Sequence, residues 1–216
     1  MTGVPCNLSK FHGGLDRREM LPFIPTSARS ILDVGCSRGL FGAVIKERDP
    51  SVRLTGVEPD PEAADQARSH YDCVVDGFFP DALSDPTRFD CIIFNDVLEH
   101  VVDPWSMLAR AADHLTRDGT VVASIPNVRF IGVVRNLVFR GLWNYADWGV
   151  LDRTHLRFFT RASIETLFAD AGFTIDRLTP INPIRVRAAG LLVGRFRDMR
   201  FPQFAVVARL SGPPPA

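Results

Sequence analysis

Three groups of side chains in this chain have the types and spacing to do chemistry. The first is a pair of acids, Asp33 and Glu58, each closing a short apolar run, with Gly35 and Gly39 between them. A carboxylate at the end of the strand that follows a glycine turn is placed to accept the hydroxyls of a ribose. The second is Asn95-Asp96-Val97-Leu98-Glu99-His100, in which Asp96, Glu99 and His100 stand at i, i+3 and i+4 and share one side of any helical turn formed there. The third is Asp152-Arg153-Thr154-His155, a histidine with an acid three residues before it, suited to proton exchange near neutral pH.

These groups need elements to hold them, and the sequence supplies strands and helices in alternation. Ile31 to Val34 is an apolar run suited to a buried parallel strand, and Gly35 and Gly39 bound a turn where backbone can approach a ligand. Leu40, Phe41, Val44 and Ile45 follow at helical spacing, and Asp49-Pro50 ends that helix. Val52 to Val57 makes the next strand and puts Glu58 at its carboxyl end, roughly 20 residues past the turn, where a ribose-binding acid belongs. Asp60-Pro61-Glu62 opens a helix running to about Ser69, and Tyr71 to Val75 forms a third strand ending at Asp76-Gly77.

Phe89 to Phe94 is a continuous apolar strand, so Asn95 to His100 lie beyond a carboxyl end, where open parallel sheets place ligands. Asp103-Pro104 caps a helix whose Trp105, Leu108, Ala109, Ala112 and Leu115 are expected to face the sheet, and Arg117-Asp118-Gly119 turns into a strand over Thr120 to Ile125. Thr160 caps a helix carrying Ile164, Leu167 and Phe168, and Gly172 closes it. Phe173 to Leu178 and Gln203 to Leu210 are the last two strands. Alternation of this kind predicts an α/β fold, a doubly wound parallel sheet with right-handed crossovers.

A length of 216 residues suits a single domain over residues 1–216. Lys and Arg total 25 and Asp and Glu total 25, so no global field draws the chain to nucleic acid, and none is expected as a partner. Cys6, Cys36, Cys73 and Cys91 lack metal-type spacing and suit reduced thiols, with no disulfide and no zinc knuckle. Residues 1–14 are turn-rich and loose, without the apolar core of a signal peptide, and the PPPA tail is expected to be disordered. The apolar stretch Ala188 to Gly194 is far shorter than the ~20 residues that span a bilayer, so a cytoplasmic protein with no transmembrane segment is expected.

Two ligand classes use a strand, glycine turn and helix of this kind. Dinucleotide sites carry GxGxxG and aim amides at an anionic diphosphate. Here the turn is GxxxG and Asp33 sits two residues before its first glycine, a charge that repels a diphosphate and attracts an ammonium or sulfonium. That favours S-adenosyl-L-methionine. Arg17 or Arg18 is placed to reach the carboxylate of such a cofactor, or else belongs to a solvated helix face.

Through LDVGCSRG and GVEPD the chain resembles the class I S-adenosylmethionine-dependent methyltransferases. FDCIIFNDVLEHVVDPWSMLARAADHLTRDGTVVASIPN and GVLDRTHLRFFTRASIETLFADAGF extend the likeness over about residues 15 to 210, to the small bacterial members and the ubiquinone-pathway and sugar O-methyltransferases. The resemblance implies a Rossmann-like, mostly parallel seven-stranded sheet whose last two strands form an antiparallel edge hairpin. It also implies cofactor contacts from Asp33, Gly35, Cys36, Ser37, Gly39, Glu58, Pro59, Asp76, Asn95, Asp96 and Val97, with Asp76 facing the adenine amino group and Ser37 standing where many members have a glycine.

Methyl transfer to a hydroxyl then needs a base for the acceptor proton and alignment of oxygen, methyl and sulfur. His155 is expected to be that base, with Asp152 holding its tautomer and activity rising with pH near ~6.5. Asp96, Glu99, His100 and His155 together look like the Glu-x-x-Glu-His plus distant His metal site of the small-RNA 2′-O-methyltransferases. Asp96 is one methylene shorter than the glutamate of that pattern, so a metal is not expected and activity should survive chelation. Residues 128 to 150, rich in aromatics and interspersed with Arg129, Arg135 and Arg140, read as a helix to about Arg140 and then a loop, inserted as a lid over the acceptor. A homodimer interface and a membrane-surface helix are the other readings of that segment. The acceptor is expected to be a sugar, glycan precursor or other small hydroxyl-bearing metabolite, with a ubiquinone-type phenol or a noncatalytic cofactor-binding subunit as alternatives.

Overall fold

The computed structural model describes residues 16–84, 87–183 and 194–212. Residues 1–14, expected to be loose, most of the apolar stretch 188–194 and the proline-rich tail, expected to be disordered, lie outside those residues. Seven strands, β1 (Ser30–Val34), β2 (Arg53–Glu58), β3 (Cys73–Asp76), β4 (Phe89–Asn95), β5 (Leu115–Pro126), β6 (Phe173–Ile181) and β7 (Gln203–Leu210), form one sheet in the order β3-β2-β1-β4-β5-β7-β6. The first five are parallel, and β7 runs antiparallel between β5 and β6, so the expected edge hairpin forms. The chain winds outward from β1 to β3 and then returns to β4 beside β1, so the crevice of the sheet opens at the carboxyl ends of β1 and β4.

Strand alternation gives each face of the sheet its own layer. Ile31, Leu54, Cys91 and Ile93 pack under α1 (Leu40–Arg48), α2 (Pro61–Ala67) and a 3-10 helix over Arg18–Phe23. Leu32, Val34, Ile92 and Phe94 pack under α3 (Pro104–Asp113) and α5 (Arg161–Asp170), through Leu108, Ala111, Ile164, Leu167 and Phe168. The remaining helix, α4 (Ile131–Arg140), follows β5. The expected caps form: Asp60 accepts from the amides of Glu62 and Ala63, Asp103 from Ser106, and Thr160 from Ser163.

Three expectations shift. The third strand begins at Cys73, because Tyr71 is buried and sends its hydroxyl to Asp33 instead of joining the sheet edge. Arg117-Asp118-Gly119 lies inside β5 as a bulge: opposite Phe89 and Cys91 the strand advances from Leu115 to Thr120. Trp105 is 41% exposed and Ala109 is also exposed, because α3 buries Pro104, Leu108 and Ala111 instead, at i, i+4 and i+7. Trp105 lies beneath the Arg157 guanidinium, 5.9 Å from the ring centre. Among the described residues no helix is long and apolar enough to cross a membrane.

Candidate functional site

A cavity of about 370 Å³ opens at the carboxyl ends of β1, β2 and β4, within the ordinary range for small-molecule sites. Its floor is the turn after β1. Gly35 and Gly39 have φ of +71° and +84°, and a Cβ on Gly35 would stand 2.9 Å from Val97 Cγ2. Ser37 also takes a positive φ, +47°, and its amide donates to Glu58 Oε2 at 2.8 Å. That bond accounts for a serine where a glycine is common, since Glu58 holds the strained backbone in place. Glu58 accepts from the Asp60 amide through its other oxygen at 2.9 Å, so one buried carboxylate ties the turn to the start of α2. Burial moves its pKa above the ordinary range, against the pull of those two amides.

Asp33 departs from expectation in its charge. It is 2% exposed, accepts from the Tyr71 hydroxyl at 2.5 Å, and burial pushes its pKa up to about 7, with Tyr71 opposing and Glu58 adding to the rise. It lines the cavity, and with a pKa about 7 it is only partly ionised at neutral pH, a weaker attraction for a sulfonium than a full carboxylate charge. Asp76 departs in its direction. It sits at the exposed end of β3, accepts from Arg68 at 2.7 Å and is not part of the wall, which is made there by Gly77, Phe78 and Phe79. The apolar pair directly after Asp76-Gly77 was the signal for that wall.

Cys36, Pro59, Asn95, Asp96 and Val97 all line the cavity. Both amide atoms of Asn95 are buried without a hydrogen-bond partner among the described residues. Of the two candidate arginines, Arg18 faces outward to Asp16 and Glu47, whereas Arg17 lines the cavity. Arg17 has a left-handed φ of +51°, and its Nη1 meets Asp96 at 3.1 Å and Glu19 at 3.2 Å. Its Nε and Nη2 are buried with no partner among the described residues. Asp96 is committed elsewhere as well, taking hydrogen bonds from the Ser124 hydroxyl at 3.1 Å and from the Gln203 amide.

The far end of the wall is made by His100, Val101, Met107, Thr154 and Leu156. The segment carrying Thr154 is clamped there because the amides of Leu156 and Arg157 donate to the Glu99 carbonyl at 2.8 and 3.0 Å. His155 is 6% exposed and stands behind the wall, its ring centre 4.7 Å from that of His100 and its Nδ1 3.1 Å from the Val150 carbonyl. Asp152 Oδ1 accepts from the Thr154 amide at 2.8 Å and the Thr154 hydroxyl at 2.6 Å, so Asp152 reaches His100 through Thr154 as well as lying near His155. Burial would raise the Asp152 pKa, but the Thr154 bonds and the two nearby histidines outweigh it and hold it below the ordinary value. Glu99 is 1% exposed, and burial, with Asp96 nearby, drives its pKa well up. Of the four candidate metal ligands, Glu99, His100 and His155 converge, with one donor atom of each lying within 4.8 Å of the others, and Asp96 stays apart.

Residues 14–178 match the model of a methyltransferase domain. The chain belongs to that methyltransferase family. Its motifs and seven-stranded fold make it a class I S-adenosylmethionine-dependent methyltransferase. It is 29% identical over 185 residues to a ubiquinone biosynthesis O-methyltransferase of Azorhizobium caulinodans, an alignment covering 81% of this chain and 70% of that protein. A second relative, an uncharacterized transposon protein of Streptomyces fradiae, is 28% identical, and the match spans only 51% of its length. In fold the methyltransferase is similar to a Haloferax volcanii putative methyltransferase solved in complex with the Trm112 activator. That likeness has a TM-score of 0.65 at 17% identity and covers 90% of this chain and 88% of the other.

In this methyltransferase, residues 128–150 form α4 to Arg140 and then a loop that starts at a left-handed Gly141. None of these residues lines the cavity. Trp143 and Tyr145 pack toward Phe158, with ring centres 5.2 and 6.4 Å away, while Val138, Phe139 and Trp148 are 65%, 81% and 78% exposed.

Proposed function

We propose that this methyltransferase takes a methyl group from S-adenosyl-L-methionine and places it on a hydroxyl of a sugar, glycan precursor or other small metabolite. One observation carries the cofactor half: the same cavity wall holds a buried carboxylate locked by two amides and a buried arginine with two N–H edges unmatched. The first is the complement of a ribose diol and the second of a carboxylate, and the ligand has both. Glu58 and Pro59 would hold the ribose, while Asp33, Gly35, Cys36, Ser37 and Gly39 underlie the methionine part. Phe78 and Phe79 would flank the adenine, and Arg17 would take the carboxylate, with Asn95, Asp96 and Val97 closing the wall.

When bound, the cofactor supplies an electrophilic methyl on a sulfonium whose departing thioether is neutral. The residues of the chain then have to align the acceptor and exclude water. His100 and Thr154 face the acceptor, and His155 supports His100 from behind rather than abstracting the proton directly. Residues 128–150 close over the acceptor as a lid, their exposed Val138, Phe139 and Trp148 being the surface that closure would cover; a homodimer interface is the competing use of that surface. A second reading, transfer to a phenol, is favoured by the apolar Val101, Met107 and Leu156 beside His100 and by the likeness to the Azorhizobium ubiquinone enzyme.

The test is methyl transfer to a panel of nucleotide sugars and a panel of phenols, with thermal shift in the presence of S-adenosylhomocysteine. Selective stabilisation and methylation by one panel names the acceptor class. Tight cofactor binding with no transfer to a hydroxyl of either panel would overturn the reading.

A further inference from the structure

We propose that Glu99, His100 and His155 bind a divalent transition-metal ion behind the acceptor end of the cavity. Ligands each about 2.1 Å from one ion stand no more than about 4.2 Å apart. The three donors, within 4.8 Å of one another, are therefore close to a common centre without yet being drawn onto it.

The hydrogen bonds around the two histidines show which nitrogen of each carries the hydrogen toward its backbone anchor. His155 Nδ1 lies 3.1 Å from the Val150 carbonyl, and a carbonyl can only accept, so Nδ1 carries the hydrogen. His100 Nδ1 lies 3.3 Å from the Thr154 carbonyl and 3.1 Å from the Thr154 hydroxyl. That hydroxyl donates to Asp152 at 2.6 Å, so toward His100 it accepts, and Nδ1 carries the hydrogen there too. Each ring therefore turns an Nε2 lone pair away from its backbone anchor. This is how metal-ligating histidines are oriented, with Asp152 acting on His100 through Thr154.

The third ligand is the buried Glu99 carboxylate. Glu99 is 1% exposed, and neither of its oxygens has a hydrogen-bond partner among the described residues. A buried carboxylate without a donor is costly, and a cation between it and two imidazole lone pairs removes that cost. Asp96 is one methylene shorter than the glutamate of the small-RNA methyltransferase pattern. In the structure Asp96 is engaged by Arg17, Ser124 and Gln203 and is not a ligand at all, so its length does not bear on the site.

Two imidazoles and one carboxylate suit Zn²⁺, Co²⁺, Fe²⁺ or Mn²⁺ rather than Mg²⁺ or Ca²⁺, which prefer oxygen alone. Three protein ligands leave positions open, the pattern of a catalytic site rather than a structural one. Because His100 lines the cavity, the open side faces the acceptor. Resting on the proposed transfer to a hydroxyl, the ion lowers the pKa of the acceptor hydroxyl, which loses its proton to water. The acceptor oxygen then forms the new C–O bond as the methyl–sulfur bond breaks and its electron pair leaves on sulfur as a neutral thioether.

The experiment titrates EDTA-dialysed protein with Co²⁺ and Zn²⁺, reading the cobalt visible band and calorimetry. Wild type should bind one ion, and Glu99→Gln and His155→Ala should each weaken it by at least ~100-fold while S-adenosylhomocysteine still binds. Should a variant not fold, X-ray absorption of the zinc-loaded wild type decides: two imidazoles support the site, and a thiolate shell overturns it. Absence of a cobalt band in folded wild type, or a band unchanged in both variants, also overturns it. Metal binding is read here without turnover, so the wrong acceptor class would leave this result untouched.

Discussion

The two ends of the cavity are built in different ways. At the cofactor end the chemistry lies within one continuous strand, turn, helix and strand: Gly35, Ser37, Gly39 and Glu58 belong to a single βαβ unit, and most of their contacts are to each other's backbone. At the acceptor end Glu99 and His100 meet Thr154 and His155 across 54 residues that hold α3, β5 and α4, and the meeting depends on two amides donating to one carbonyl. Burial treats the acids of the two ends alike, raising Asp33, Glu58 and Glu99. Only Glu58 has that rise opposed by two backbone donors; Asp33 has a tyrosine, and the Glu99 oxygens accept no hydrogen bond among the described residues. A locally encoded site can satisfy its own charges, whereas a site assembled from distant segments is left needing something from outside.

The largest break of this comparison is removal of the segment beside the acceptor end. Deleting Ile131 to Tyr145 should abolish turnover and leave cofactor affinity near wild type, measured by calorimetry with S-adenosylhomocysteine. An active monomer derived from a wild-type dimer would make the segment an interface. Next, Glu58→Ala should weaken S-adenosylhomocysteine more than tenfold, since a hydrogen bond to a charged group contributes ~1.5 to 3 kcal/mol; unchanged affinity in a folded protein would remove the ribose assignment. Arg17→Ala should cost about tenfold for S-adenosylhomocysteine but little for adenosine, which lacks the carboxylate.

A smaller effect tests the charge of Asp33. Its folded pKa, about 7, is above the ordinary 3.8 of an aspartate, so the folded protein binds the extra proton and the associated stability is present at low pH and lost as pH rises through that interval. Thermal melts between pH 5 and 8 should therefore show a shallower decline in Asp33→Asn than in wild type, and parallel curves would discount the shift. The smallest effect is at Asp76. Paired with Arg68 away from the wall, it should tolerate Asp76→Ala with cofactor affinity changed by less than about twofold, the scale of an exposed ion pair. A tenfold loss would return it to the adenine site.

Much of this molecule was legible before folding because its signals are short in range. Asp60-Pro61, Asp103-Pro104 and Thr160 cap helices through their own next few amides, and the runs at Ile31, Val52 and Phe89 read as buried parallel strands because both faces of such a strand are covered. Gly35, Gly39 and Glu58 were legible for the same reason, their spacing being that of one local unit. The hairpin of β6 and β7 was legible as two strands, though β6 runs on to Ile181 where it pairs with Gln203.

What the tertiary structure decided is where side chains point and what they meet. Asp76 and Gly77 are neighbours in sequence, yet only the second lines the cavity, because β3 ends at Asp76, whose carboxylate turns to Arg68, and the chain bends at the positive φ of Gly77. Trp105 has helical spacing for the core but lies outside the arc that α3 presents to it. Asp33 carries a formal charge in the sequence, and only burial beside Tyr71 sets its protonation. That the Asp152 carboxylate also binds Thr154 and the His155 ring also meets the Val150 carbonyl could not be read from their spacing. Composition and spacing determine elements, since those depend on the backbone of a few consecutive residues. The partners of a buried polar group depend on which distant segments are packed against it, and that is set only when the whole sheet has formed.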